Sequence, residues 1–220
     1  MSKLREEIAA RFQADVRDHE MAVVKDDGVH RHLTFRRPTS SVFRFDLLTW
    51  PGHLCITGDY GTYVFSRIPD MFEFFRGHEI NPRYWDEKLL SVSRHGGYRE
   101  FDPETFKERV REHFVDHWED TDDHDARDAC WDEVVADVLS RVDDGEHVAY
   151  QAVNDFQHGR FCFQDFFDGG GTERFTDTYL WNLNAIVWGI SHYDQMRADV
   201  AETATPTSPA RRRSAGAGMG

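Results

Sequence analysis

The sequence predicts an α+β domain, an antiparallel β-meander followed and covered by helices, with one further helix at the N-terminus. Two observations carry this. Over about residues 20–67, short runs of alternating apolar and polar residues are separated by turn chemistry. After Arg67 the apolar spacing changes from two to about 3.6.

Taken in order, Leu4, Ile8, Phe12 and Val16 fall near one helical face, so a helix is expected over residues 4–16. MAVVK runs through Asp26-Asp27-Gly28 into VHRHLTFR, and Pro38-Thr39-Ser40 leads to VFRFDLLTW. Pro51-Gly52 leads to HLCIT, and Gly58-Asp59-Tyr60-Gly61 to TYVFSR. Connections this short join antiparallel neighbours, which gives a meander of about five strands. Alternation sends Leu54, Ile56, Tyr63 and Phe65 to one face and His53, Cys55, Thr57, Thr62, Val64 and Ser66 to the other.

Pro69 suits the first turn of a helix in which Ile68, Met71, Phe72 and Phe75 share a face, and Gly77 ends it. Asn81-Pro82 starts a short helix through Tyr84, Trp85 and Leu89, and Asp102-Pro103 a longer one over 103–119. A helix over about 125–142 directs Trp131, Val134, Val135, Val138, Leu139 and Val142 inward, with Asp128, Asp132, Glu133 and Asp137 outward. Another follows over 146–157. RFCFQDFF, 160–167, is a candidate sixth strand, and Thr176 caps a last helix through about residue 197. The expected organisation is one domain over 1–200 and a disordered Pro/Ala/Gly/Arg tail over 201–220.

Charge is unevenly placed. The net charge is −14, yet residues 100–146 alone hold 18 acidic and 5 basic residues, a net of −13. Arginine outnumbers lysine 22 to 4, which points to a GC-rich genome. The three cysteines, Cys55, Cys130 and Cys162, form no CxxC, so neither a zinc knuckle nor a disulfide framework is expected. No run of about 18 apolar residues is present, and MSKLREEIAARFQADV lacks a signal peptide's apolar centre. A cytoplasmic protein with no membrane partner is the expectation.

The phrases FDLLTWPGHL, GDYGTYVFSR, DMFEFFRG, INPRYW and YLWNLNAIVWGISHYD resemble a family of uncharacterised proteins met in tailed phages, prophages and actinobacterial-type genomes. The likeness covers about residues 20–90 and 176–194 and leaves 100–160 unmatched. It implies a mobile-element setting, with the host cytoplasm as location, and no activity carries over from it.

Four features could carry chemistry. The second sheet face presents His30, His32, Thr34, Arg36, Arg44, Asp46, His53, Thr57 and Ser66. Of these, His32, Arg44, Asp46 and His53 are the candidates for acid–base work or for gripping an anion; the plainer reading is a wetted face. His113 and His117, an H-x3-H pair near the centre of an apolar stripe, are the candidate metal ligands. They lack the glutamate of H-E-x-x-H, and structural roles with no metal or cofactor are expected. TDTYLWNLNAIVWGISHYDQM is apolar nearly all round, as a helix buried on both sides would be. The acidic block offers Asp128, Asp132, Glu133 and Asp137 to a basic protein surface. Arg211-Arg212-Arg213 is too small for stable nucleic-acid binding, so direct binding of nucleic acid is not expected.

With no nucleotide loop or nucleophile motif present, the sequence reads as a non-enzymatic accessory protein that binds a partner through its acidic helices. The alternative is a small-ligand-binding protein or enzyme using the polar sheet face.

Overall fold

The computed structural model describes residues 3–204, apart from residues 78, 95, 121 and 169. Helix α1 (Lys3–Val16) buries Ile8, Phe12 and Val16, the face expected from their spacing of four. Five strands follow as a meander: β1 (Glu20–Asp27), β2 (His30–Arg37), β3 (Ser40–Trp50), β4 (His53–Gly58) and β5 (Gly61–Ser66). Each pairs antiparallel with the next. The turns use residues that tolerate left-handed backbone, Gly28 at φ 59° and Gly52 at φ 80°.

Helix α2 (Met71–Phe75) starts one residue after Asp70, whose carboxylate caps it by accepting from the Phe72 N–H. Pro69 therefore precedes the cap. Helix α3 (Pro82–Asp86) is capped by Asn81 and stops before Leu89. Leu89 instead begins β6 (Leu89–Ser91), which adds to β5 and makes the sheet six-stranded. This sixth strand is three residues long, too short to show a period.

One sheet face is dry. Leu33, Phe35, Phe45, Leu47, Leu54, Ile56, Tyr63 and Phe65 are all at most 1% exposed. They pack against α1, α2 and the last helix, α7 (Asp177–Ala204). Thr176 caps α7 as expected, accepting from the Tyr179 N–H at 3.2 Å. Trp181, Leu183 and Ile186 of α7 are fully buried. Gly189 lets the helix sit close on the sheet, because a Cβ there would lie 2.8 Å from Leu47 Cδ1. The helix continues through Ala204, so residues 201–204, expected in the tail, are helical; the rest of the expected tail, residues 205–220, lies outside the described residues.

A second apolar cluster lies in the acidic stretch. It is built from α4 (Pro103–Trp118), α5 (His124–Asp137), a 3₁₀ turn (Leu139–Asp144), α6 (Glu146–Asp155) and aromatic residues after α6. The helix expected over 125–142 is divided at Val138 (φ −111°, ψ −63°), which caps α5 and leads into the 3₁₀ turn. Val134, Val138 and Val142 point inward, whereas Val135 is 43% exposed and Cys130 takes a core position in its place. A two-stranded ribbon, β7 (Arg99–Phe101) with β8 (Glu173–Phe175), stands at the entrance to this helical body.

Residues 160–167 are not the expected sixth strand. Phe161, Phe163 and Phe166 are buried, but the backbone runs as turns with one isolated bridge, His158 to Phe161. Side chains satisfy its carbonyls instead. Arg109 donates Nε to Phe166 O (2.6 Å) and Nη2 to Asp168 O (2.7 Å), while His113 Nε2 meets Gln164 O at 2.8 Å.

At one end of the dry face, Arg31 forms a two-pronged pair with Asp70, both contacts 2.9 Å, and stacks over Phe72. Burial raises the Asp70 carboxyl, but the Arg31 hydrogen bonds and the Phe72 N–H outweigh it and hold the group below its ordinary 3.8. A depressed carboxylate pKa contributes stability above the unfolded value and loses it as pH falls through the folded one. Asp70→Asn keeps an N-cap oxygen but removes the charge. We expect it to cost about 1–2 kcal/mol at pH 7 and to flatten the loss of stability below about pH 4. Urea unfolding at pH 7, 5 and 3 checks this; an unchanged acid limb would refute the assignment.

Candidate functional site

The other sheet face meets solvent, and strand registers align its side chains in rows. Thr62, Thr57, Asp46, Thr34 and Ala22 form one cross-strand row. Val64, Cys55, Leu48, His32 and Lys25 form the next, and Ser66, His53 and Trp50 a third. The residues expected on this face from alternation line up in these rows, although the ladder shifts register between Val23 and Lys25 and between Phe35 and Arg37.

The structure brings three of the four acid–base candidates together. Arg44 Nη2 donates to Asp46 Oδ2 at 2.8 Å, and His32 Nε2 lies 3.5 Å from the same oxygen. Asp46 is only 7% exposed although it belongs to the open face, and its Oδ1 is buried with no partner among the described residues. A carboxylate between a guanidinium and an imidazole can orient the ring for proton transfer. His53 stands apart. Its ring stacks on Trp50 (centroids 5.0 Å, planes 9° apart) and its Nδ1 lies 2.9 Å from Pro51 O. His30 and Arg36 are exposed towards opposite ends of β2, and Thr57 bonds Thr62 at 2.7 Å.

On α5, Asp128, Asp132, Glu133 and Asp137 are all exposed. Asp128 pairs with Arg127 (2.8 Å) and Glu133 with His158 (2.8 Å). Asp132 and Asp137 make no ion pair among the described residues. Between α4 and α5 runs a shallow apolar groove of about 280 Å³, with Phe114, Val115 and Trp131 flanked by Arg111 and Arg127.

The histidine pair is separated by its helix face. Phe106, Val110 and Phe114 form the buried stripe of α4, and the two histidines lie one position back from Phe114 and Trp118. His113 is half-buried against the 160–167 turns, but His117, expected inward, is exposed over Phe161 and Trp118. Among the described residues no group of three or more His, Cys, Asp or Glu could hold a metal ion. All three cysteines are free, with burial, aided by Glu133, pushing the Cys130 thiol up to about 11. Such a thiol is unreactive at neutral pH. No described helix is long and apolar enough to cross a membrane.

No family model, curated protein or solved structure matches this chain.

Proposed function

We propose that this is a non-enzymatic accessory protein of mobile-element type. It acts in the cytoplasm by docking the acidic helical body on a basic protein surface. The observation that carries the reading is the coincidence of charge and architecture. The segment with a net of −13 is folded around its own apolar cluster, so its carboxylates move as one body. A block of like charge on a rigid support steers an oppositely charged partner and repels nucleic acid. The apolar α4–α5 groove within that body supplies contact area that charge alone does not.

A second reading rests on Asp46. A nearly buried carboxylate beside Arg44 and His32, with one oxygen unpartnered, suits a small-ligand or proton-transfer site on the sheet face.

One experiment separates them. A lysine-rich peptide is titrated into the full chain by calorimetry at rising salt. Asp128→Lys with Asp132→Lys and Asp137→Lys is expected to leave the melting temperature nearly unchanged, since all three side chains are exposed. It should weaken binding about tenfold or more, and wild-type binding should decline with salt. Arg44→Ala with His53→Ala serves as the control and should bind like wild type. Salt-insensitive binding retained by the triple variant would sink the acidic reading, and loss only in the control would move function to the sheet.

A further inference from the structure

A cleft of about 530 Å³ opens where α2 faces α3. Two phrases singled out in the sequence, DMFEFFRG and INPRYW, supply most of its walls. Phe74 and Tyr84 form an aromatic surface with the nearly buried Trp85 at its floor, Phe74 centred 5.9 Å from Tyr84 and 6.4 Å from Trp85. Tyr84 is 41% exposed, so this surface is reachable from solvent. Glu73 and Glu79 stand at the rim. Glu73 is bonded to Arg76, while Glu79 is exposed and makes no hydrogen bond or ion pair among the described residues. None of the described lining residues is basic.

That combination selects a ligand by exclusion. An anion meets the unpaired Glu79 carboxylate and the negative faces of aromatic rings. A neutral apolar group fills the aromatic surface but leaves the one unpaired carboxylate at the rim, Glu79, without a partner. A cation on an apolar stem satisfies both, its head between carboxylate and ring faces and its stem against Phe74 and Trp85. The protein already makes one such contact. Lys88 Nζ lies 4.6 Å from the Tyr84 ring centre and 2.8 Å from Glu87, so an ammonium held by one ring and one carboxylate is stable on this surface. We infer that the α2–α3 cleft binds an alkylammonium or alkylguanidinium group, a site distinct from the acidic helical body and independent of its role.

The test uses the full chain with n-butylammonium and n-butylguanidinium as probes, and n-butanol and n-butanesulfonate as neutral and anionic controls of similar size. Chemical shifts of the Trp85 indole are followed by NMR. The cations are expected to saturate, with the two controls at least about tenfold weaker. Glu79→Gln should weaken the cations about fivefold without changing n-butanol, and Tyr84→Ala should weaken them by a similar factor. Glu79 is exposed, so its variant keeps the test valid should Tyr84→Ala fail to fold. A Gly-Gly-Arg-Gly-Gly peptide binding tighter than butylguanidinium assigns the site to a partner's side chain; weaker binding assigns it to a free small cation. Butanol binding as well as butylammonium, or cation binding indifferent to Glu79→Gln, would overturn the inference.

Discussion

Gly58→Ala is expected to destabilise the protein by about 3 kcal/mol or more, the upper range for forcing atoms into a packed site. Gly58 ends β4 directly opposite Phe45, and a Cβ built on it falls 2.2 Å from Arg44 O and 2.8 Å from Phe45 Cα. Both are backbone atoms, so no rotamer change relieves the overlap; β3 and β4 must separate. Separation would also strain the bond that Asp59 N–H donates to Arg44 O at 3.0 Å. Gly58 and Gly61 bracket the turn that joins β4 to β5, and a Val at either is expected to cost about 1 kcal/mol or more where φ is positive. The structure divides the reasons. Gly61 has φ 91° and needs glycine for its backbone, whereas Gly58 lies outside the left-handed region and needs it for space. Gly28 is the control, with positive φ and nothing within 4 Å of a built Cβ, and Gly28→Ala should cost only about 1 kcal/mol. Urea midpoints rank the two; a Gly58→Ala protein as stable as Gly28→Ala would refute the close approach.

Trp181→Ala should cost about 4 kcal/mol. The indole is fully buried at the junction of α1, α7 and the sheet. Phe12 and Phe45 meet it edge-on at 5.1 and 5.7 Å, and Tyr60 stacks on it at 4.4 Å. Its Nε1 donates to Asp15 Oδ2 at 3.0 Å, which ties α7 to the end of α1. Trp181→Phe keeps most of the apolar contact but leaves the half-buried Asp15 carboxylate without its donor, so a loss of about 2 kcal/mol is expected from that variant. In a double-mutant cycle with Asp15→Ala, the Phe variant should recover part of its loss; strict additivity would show that the hydrogen bond contributes nothing.

The meander was legible because turn residues and period-two alternation agree at every hairpin, and that agreement also placed His32, Arg44 and Asp46 on one face. What alternation cannot convey is depth. Nothing in the sequence marks Asp46 as nearly buried, because its depth comes from the cross-strand neighbours and side-chain contacts, Arg44 and His32 among them, that the fold assembles around it. Alternation also misled at 160–167, where Phe161 and Phe163 repeat at two but the backbone runs as turns and Arg109 takes the carbonyls of Phe166 and Asp168. The wheel of α4 erred by one position at His117, because the buried stripe runs through Phe114 towards Trp118. The Arg31–Asp70 pair and the α2–α3 cleft were invisible for a different reason: each joins residues that no local pattern relates.

The β7–β8 ribbon has a consequence for how such a chain can change over generations. Phe101 and Glu173 are register partners, so the backbone leaves for the helical body and returns from it side by side. To the six-stranded sheet, everything between them is topologically a long hairpin loop. Its length and composition can drift, or the whole cassette be exchanged, without shifting a single pairing in the meander. The phrases FDLLTWPGHL, GDYGTYVFSR, DMFEFFRG, INPRYW and YLWNLNAIVWGISHYD all fall outside that loop, on the sheet, α2, α3 and α7. A scaffold of this kind lets selection retune one surface while the rest of the molecule stands still.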